Sequence, residues 1–148
     1  ILSKYKEIVI PKYLKQYCTH KLLIMDFEEG GSIQDSKFLK ENNIDVYKVA
    51  KLLSKSFNDQ IFKFGFVHAD PHSGNIFIRK DPETDFKMII FDHGLDRYFD
   101  DDFRRNYINF WRGMFIQDKE LLKQSCKNLN IQNYELFCSV VTNKRYDQ

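Results

Sequence analysis

Apolar residues return at helical spacing through one long stretch of this chain and gather in short runs elsewhere, and that division predicts its elements. From Asp45 onward, Val46, Val49, Leu52, Leu53, Phe57, Ile61 and Phe64 fall three or four residues apart, predicting an amphipathic helix with Gly65 as its left-handed stop. Two β-rich runs precede it: Glu7 to Ile10 (EIVI), closed by Pro11, and Lys21 to Phe27 (KLLIMDF), closed by Glu28, Glu29, Gly30 and Gly31. They are expected to be adjacent strands joined by a polar turn. Ser32, with Asp35 three residues on, reads as the start of a small helix reaching about Lys40.

Past the long helix, Ile76 to Ile78 and Phe86 to Phe91 flank the turn-prone KDPETD, predicting a β-hairpin that Asp92 ends. Asp100, Asp101 and Asp102 suit the positive end of a helix dipole and open a helix carrying Phe103, Tyr107, Phe110, Trp111, Met114 and Phe115. Leu121, Leu122 and Leu129, then Leu136, Phe137, Val140 and Val141, mark two further helices. No internal repeat, low-complexity tract or interdomain linker interrupts the chain.

Composition narrows the class. At 148 residues, with 43% hydrophobic and 16% aromatic side chains, the chain is the size of one domain and can bury a core, which opposes disorder. Its 23 basic and 21 acidic residues leave a net charge of +2 spread along the chain, without the one-sided basic excess of a nucleic-acid binder. Cys18, Cys126 and Cys138 are odd in number and in no C-x-x-C pattern, so neither a disulfide framework nor a zinc knuckle is expected, and a reducing compartment fits best. No apolar run approaches the roughly 18 residues of a membrane span. The start ILSKYKEIVIP has no signal-peptide pattern and no initiating Met, which leads to the expectation of a fragment with its targeting information upstream.

The chemistry concentrates in FGFVHADPHSGNIFI, residues 64–78, where two histidines, an aspartate and an asparagine sit on a loop broken by proline and glycine and gripped by apolar runs. Asp70 is followed five residues on by Asn75, and the hairpin then delivers Asp92 just before a glycine, Gly94. Phosphoryl transfer needs oxygen ligands for Mg²⁺ and a carboxylate beside the attacking hydroxyl; Asn75 and Asp92 can supply the first and Asp70 the second. Taken singly, Asp70-Pro71 is a turn start, Gly74 a turn position and Asn75 a loop cap. Their joint spacing, H-x-D-x-x-x-x-N followed by D-x-G, is the catalytic-loop and metal-loop pattern of kinase-like folds.

The longer string HADPHSGN, with FDHGL after it, resembles the UbiB family, the atypical kinases also called aarF-domain-containing kinases. IPKYLKQYCTHKLLIMDFEEGG resembles the last N-lobe strands and hinge of that family, so the likeness covers about residues 5 to 117. It implies an α+β, protein-kinase-like fold, with residues 1–31 as the last N-lobe strands and hinge and residues 32–148 as the helical C-lobe. It also implies ATP and Mg²⁺ as cofactors, and a nucleotide-dependent kinase or ATPase acting on a lipid or small molecule in mitochondrial or plastid lipid and coenzyme Q homeostasis. A nucleotide-binding scaffold without turnover is the alternative. By the same likeness Asp70, His68 and His72 form the catalytic set, and Asn75 and Asp92 hold the metal. Met25 is the gatekeeper, the backbone of Asp26 and Glu28 meets the adenine edge, and Phe77 lies under the base. The family's K-x-G-Q segment, alanine-rich loop and phosphate-pairing lysine and glutamate would fall before Ile1, and His93 stands where D-F-G has Phe.

Other readings stand beside it. His68 reads as a histidine bonded to a backbone carbonyl, holding the loop, and His72 stands where many kinases have a phosphate-contacting lysine. The alternation of His68, Asp70 and His72 would suit metal ligands of a hydrolase, but Pro71 would spoil the strand they need. The aromatic stripe of Phe103, Tyr107, Phe110, Trp111 and Phe115 reads as packed core before any membrane or quinone site, leaving peripheral membrane association open. Only a few residues separate Gly94 from the helix near Asp101, with no A-P-E after them, which disfavours a peptide substrate.

Overall fold

The computed structural model describes residues 2–143 as two compact units that divide between Arg97 and Tyr98. The first unit is built on a four-stranded sheet of order β1-β5-β4-β2, with β1 Ile8–Val9, β2 Gly31–Ser32, β4 Ile76–Asp81 and β5 Asp85–Ile90. A separate two-strand ribbon joins β3 Phe66–His68 to β6 Asp96–Tyr98. Alternation along the hairpin decides what it buries. Ile76, Ile78, Phe86, Met88 and Ile90 enter a core with Leu2, Ile8, Leu39, Ile44 and Val49, while Phe77 and Arg79 face the other way.

The hairpin forms as predicted and runs longer. Asp81 and Asp85 still pair across it, and the Asp81 carboxylate accepts from the Thr84 N–H at 2.9 Å and the Thr84 hydroxyl at 2.8 Å, so KDPETD shrinks to a three-residue turn. Lys48 reaches Asp85 at 2.8 Å; with Lys80 it holds that carboxyl down from the ordinary 3.8 to about 2.

The expected pairing of EIVI with KLLIMDF is corrected. Ile8 and Val9 lie parallel to Met88 and Ile89 at the edge of β5, and the second run forms only isolated bridges, Tyr13 with Met25 and Thr19 with Leu22. The cause is Pro11, which has no N–H to continue a ladder, so the chain leaves the sheet there and starts a new pairing at Lys12. Ser32 is likewise not the cap of the small helix. α1, Ser36–Glu41, is capped by Asp35, whose carboxylate accepts the Phe38 N–H at 2.9 Å, while Ser32 pairs in β2.

α2, Val46–Asn58, starts at its Asp45 cap, and Val49 is buried with Leu52 and Leu53 against the core; Val46, at the first helical position, is exposed. The expected helix continues to Phe64, but as a π turn over Asp59–Phe64, ended by Gly65 at φ 61°. The wider turn points Gln60 inward, where it is fully buried.

A Cβ on Gly31 would lie 2.4 Å from the Phe38 ring. Gly31→Ala is therefore expected to destabilise the protein by about 1–3 kcal/mol, the usual cost of overpacking. Chemical denaturation reads this as a lower midpoint at unchanged slope; an unchanged midpoint would show that Phe38 yields freely.

The second unit packs α3 Asp101–Ile116, α4 Lys119–Asn128 and α5 Tyr134–Thr142 around Phe110, Leu122, Cys126 and Cys138. The Asp100 carboxylate caps α3 through the Phe103 N–H at 2.6 Å. Tyr107, Trp111 and Met114 pack on this core as predicted, whereas Phe103 and Phe115 lie exposed at the ends of the stripe. Among the described residues no helix is long and apolar enough to cross a membrane.

Candidate functional site

The quoted loop is held from beneath by its first histidine. His68 ends β3, is fully buried, and donates its backbone N–H to the Gln60 Oε1 at 2.8 Å. Its Nε2 stands 3.0 Å from the Phe91 carbonyl, and its Nδ1 accepts the Asp70 N–H at 3.3 Å. A carbonyl only accepts and an amide N–H only donates, so the ring proton sits on Nε2. One side chain thereby joins the backbone beside Asp70 to the backbone beside Asp92. Both ring nitrogens are engaged with backbone, so His68, Asp70 and His72 do not converge as a metal cage. Among the described residues no three His, Cys, Asp or Glu side chains do.

Above His68, Asp70 is half-buried and its loop is closed by Asn75. The Asn75 Nδ2 donates to the Asp70 carbonyl at 3.1 Å and approaches its carboxylate at 3.4 Å. With its nitrogen turned to Asp70, Asn75 has its amide oxygen left as a hard ligand. Asn75 is buried, and its backbone carbonyl accepts the Phe91 N–H at 2.8 Å, which sets Asp92 two residues past the end of the β4–β5 ladder. His72 is more exposed. Its Nδ1 accepts the Gly74 N–H at 3.0 Å and its Nε2 lies 3.6 Å from the Asp70 carboxylate, so it caps the turn Ser73–Asn75 while facing the proposed base.

Asp92 is exposed, at φ 53° and ψ 76°, with its Oδ1 accepting the Gly94 N–H at 3.2 Å. A left-handed conformation away from glycine costs about 1–2 kcal/mol, less for Asp, whose carboxylate here bonds back to the Gly94 N–H. The oxygen set of Asn75 and Asp92 fits a small hard cation such as Mg²⁺.

The proposed adenine side lies on the same unit. Met25 is half-buried opposite Tyr13, and Asp26 donates its N–H to the Lys12 carbonyl at 2.9 Å. Glu28 forms an ion pair with Arg79, which shares a face of β4 with Phe77 and so ties the hinge segment to it. Phe77 itself meets the Phe91 ring edge-on at 5.3 Å.

Sequence reasoning missed Gln60, Arg79, Tyr13 and Asp96. A glutamine inside an otherwise apolar helical stripe was a signal for the first. Tyr13 carried none: burial first, then the nearby Asp92 and Asp96 carboxylates, push its phenol pKa up.

A loop carrying an aspartate and an asparagine, tied through a buried histidine to an Asp-His-Gly turn at the end of a β-hairpin, defines the kinase-like class. The model of the ABC1 atypical kinase-like domain matches residues 1–126, and the chain belongs to that family. It is similar to AarF domain-containing kinase 1 of Drosophila melanogaster, 34% identical over 147 residues, covering 98% of this chain and 28% of the relative. AarF domain-containing protein kinase 1 of Xenopus laevis is also 34% identical, over 149 residues covering 99% of this chain and 29% of the relative. A Dictyostelium discoideum protein whose name describes a serine/threonine-protein kinase is 27% identical over 148 residues, 99% of this chain and 21% of that protein. The chain thus spans less than a third of the length of these relatives.

Proposed function

We propose that the protein is a Mg²⁺- and ATP-dependent phosphotransferase whose catalytic and metal loops lie in this chain. The observation that carries the reading is the bonding that brings Asp70, Asn75 and Asp92 to one edge: 3.1 Å from Asn75 to the Asp70 carbonyl, 2.8 Å from Phe91 to the Asn75 carbonyl, and His68 bridging below. In this reading Asn75 and Asp92 hold Mg²⁺, which would neutralise charge on the nucleotide phosphates. Asp70 accepts the hydrogen bond of the attacking hydroxyl, with His72 beside it. Met25, Asp26, Glu28 and Phe77 line the base.

The acceptor we propose is a lipid or other small molecule. Only residues 95–100 separate Gly94 from α3, and β6 takes three of them, which leaves no extended segment to hold a peptide. Lipid and coenzyme Q homeostasis in mitochondria or plastids is the setting in which such acceptors are to be sought.

Calorimetry on the full-length protein tests the nucleotide reading: ATP is expected to bind at least about tenfold more tightly with Mg²⁺ than with a chelator, as hard-oxygen coordination requires. Equal affinity in both conditions would overturn it. Magnesium-dependent binding without transfer to any lipid, small molecule or water would leave a nucleotide-binding scaffold.

A further inference from the structure

A left-handed Asp92 persists only if its neighbours over-determine it. On its N-terminal side Phe91 is held twice, by the Asn75 carbonyl at 2.8 Å and by His68 Nε2 at 3.0 Å. On its C-terminal side the task falls to His93. That ring is mostly buried, lies 5.0 Å from the His68 ring, and sets its Nδ1 3.2 Å and 3.4 Å from the two Asp96 carboxylate oxygens. The His93 Nε2 is buried without a hydrogen-bond partner among the described residues, so Asp96 is the ring's polar anchor. Asp96 in turn begins β6, which pairs with the strand ending in His68, and its carboxylate is 4.0 Å from the His68 Nδ1.

We propose that Asp96 is a positioning residue for phosphoryl transfer: it accepts the Nδ1–H of His93, seats that ring against His68, and so holds the Asp92–Gly94 turn in register with Asp70 and Asn75. A carboxylate needs no bond to substrate for this. Two loops that must face one cation are coupled through a pair of imidazoles packed at a tilt of 44°, one anchored by backbone and the other by Asp96. The consequence for catalysis rests on the proposed function, but the holding of the turn does not.

The test pairs exchange with binding in the full-length protein. Hydrogen–deuterium exchange over the peptide containing Asp92 to Gly94 is expected to quicken roughly tenfold in Asp96→Ala, the scale of losing a hydrogen bond to a charged group, with the β4–β5 hairpin unchanged. Asp96→Asn keeps an oxygen acceptor and should stay within about threefold of wild type, because the same Nδ1–H is still received. In a His93→Phe background, which removes that donor and keeps a ring, Asp96→Ala should add nothing. Mg²⁺–ATP affinity and KM are expected to follow the exchange order, and kcat at saturation to change less. Unchanged exchange in Asp96→Ala, equal damage from Ala and Asn, or an undiminished effect in the His93→Phe background would each overturn the role of Asp96. Wild-type protein that binds no Mg²⁺–ATP would instead sink the proposed function, while exchange still decides whether Asp96 holds the turn.

Discussion

Asp70→Asn is expected to lower kcat about a hundredfold or more while Mg²⁺–ATP affinity stays within a few-fold of wild type, the range in which removal of a general base falls. The structure separates the two effects. What holds the loop at this position is backbone: the Asp70 N–H to the His68 Nδ1 and the Asp70 carbonyl to the Asn75 Nδ2, both of which survive the substitution. What is lost is a carboxylate oxygen, whose bond to the attacking hydroxyl strengthens as the phosphoryl group transfers, so the loss falls on the transition state. Steady-state kinetics alongside calorimetry measure both quantities. Equal turnover by wild type and Asp70→Asn would end the assignment of Asp70 as the base and favour the scaffold.

Asp92→Asn should act in the opposite sense, weakening Mg²⁺-dependent nucleotide binding by at least the roughly tenfold to hundredfold that follows from disturbing even a ligand's supporting bond. Asparagine tolerates the left-handed backbone at φ 53° as well as aspartate does, and its amide oxygen can still accept the Gly94 N–H. The fold is therefore expected to survive, and the loss reads the hard cation's preference for carboxylate oxygen. A thermal-shift titration of magnesium at fixed ATP provides the measurement. A magnesium response identical to wild type would remove Asp92 from the proposed metal site.

These two residues were legible in the sequence because their spacing on a loop between apolar runs is a local property. The same holds for the helix that begins after Asp45, Gly65 as its left-handed stop and the hairpin around Pro82. Other features were not. Ser32 and Asp35 both look like caps, and only the pairing of β2 with β4 removes Ser32 from the competition. The helical stripe to Phe64 gave no sign that its last turn widens, because π and α turns bury nearly the same apolar positions.

By itself the sequence determined the helices, the hairpin and the order of chemical groups along the chain, since each depends on neighbours within about one turn. Tertiary structure decided which strand Ile8 and Val9 join, how Glu28 meets Arg79, which nitrogen of His68 carries its proton, and that Asp96 reaches His93. Those outcomes turn on partners distant in sequence or on the direction of a single side chain. Pattern leaves such choices degenerate, and they resolve only when the sheet buries one set of faces and enclosed polar groups compete for the partners within reach.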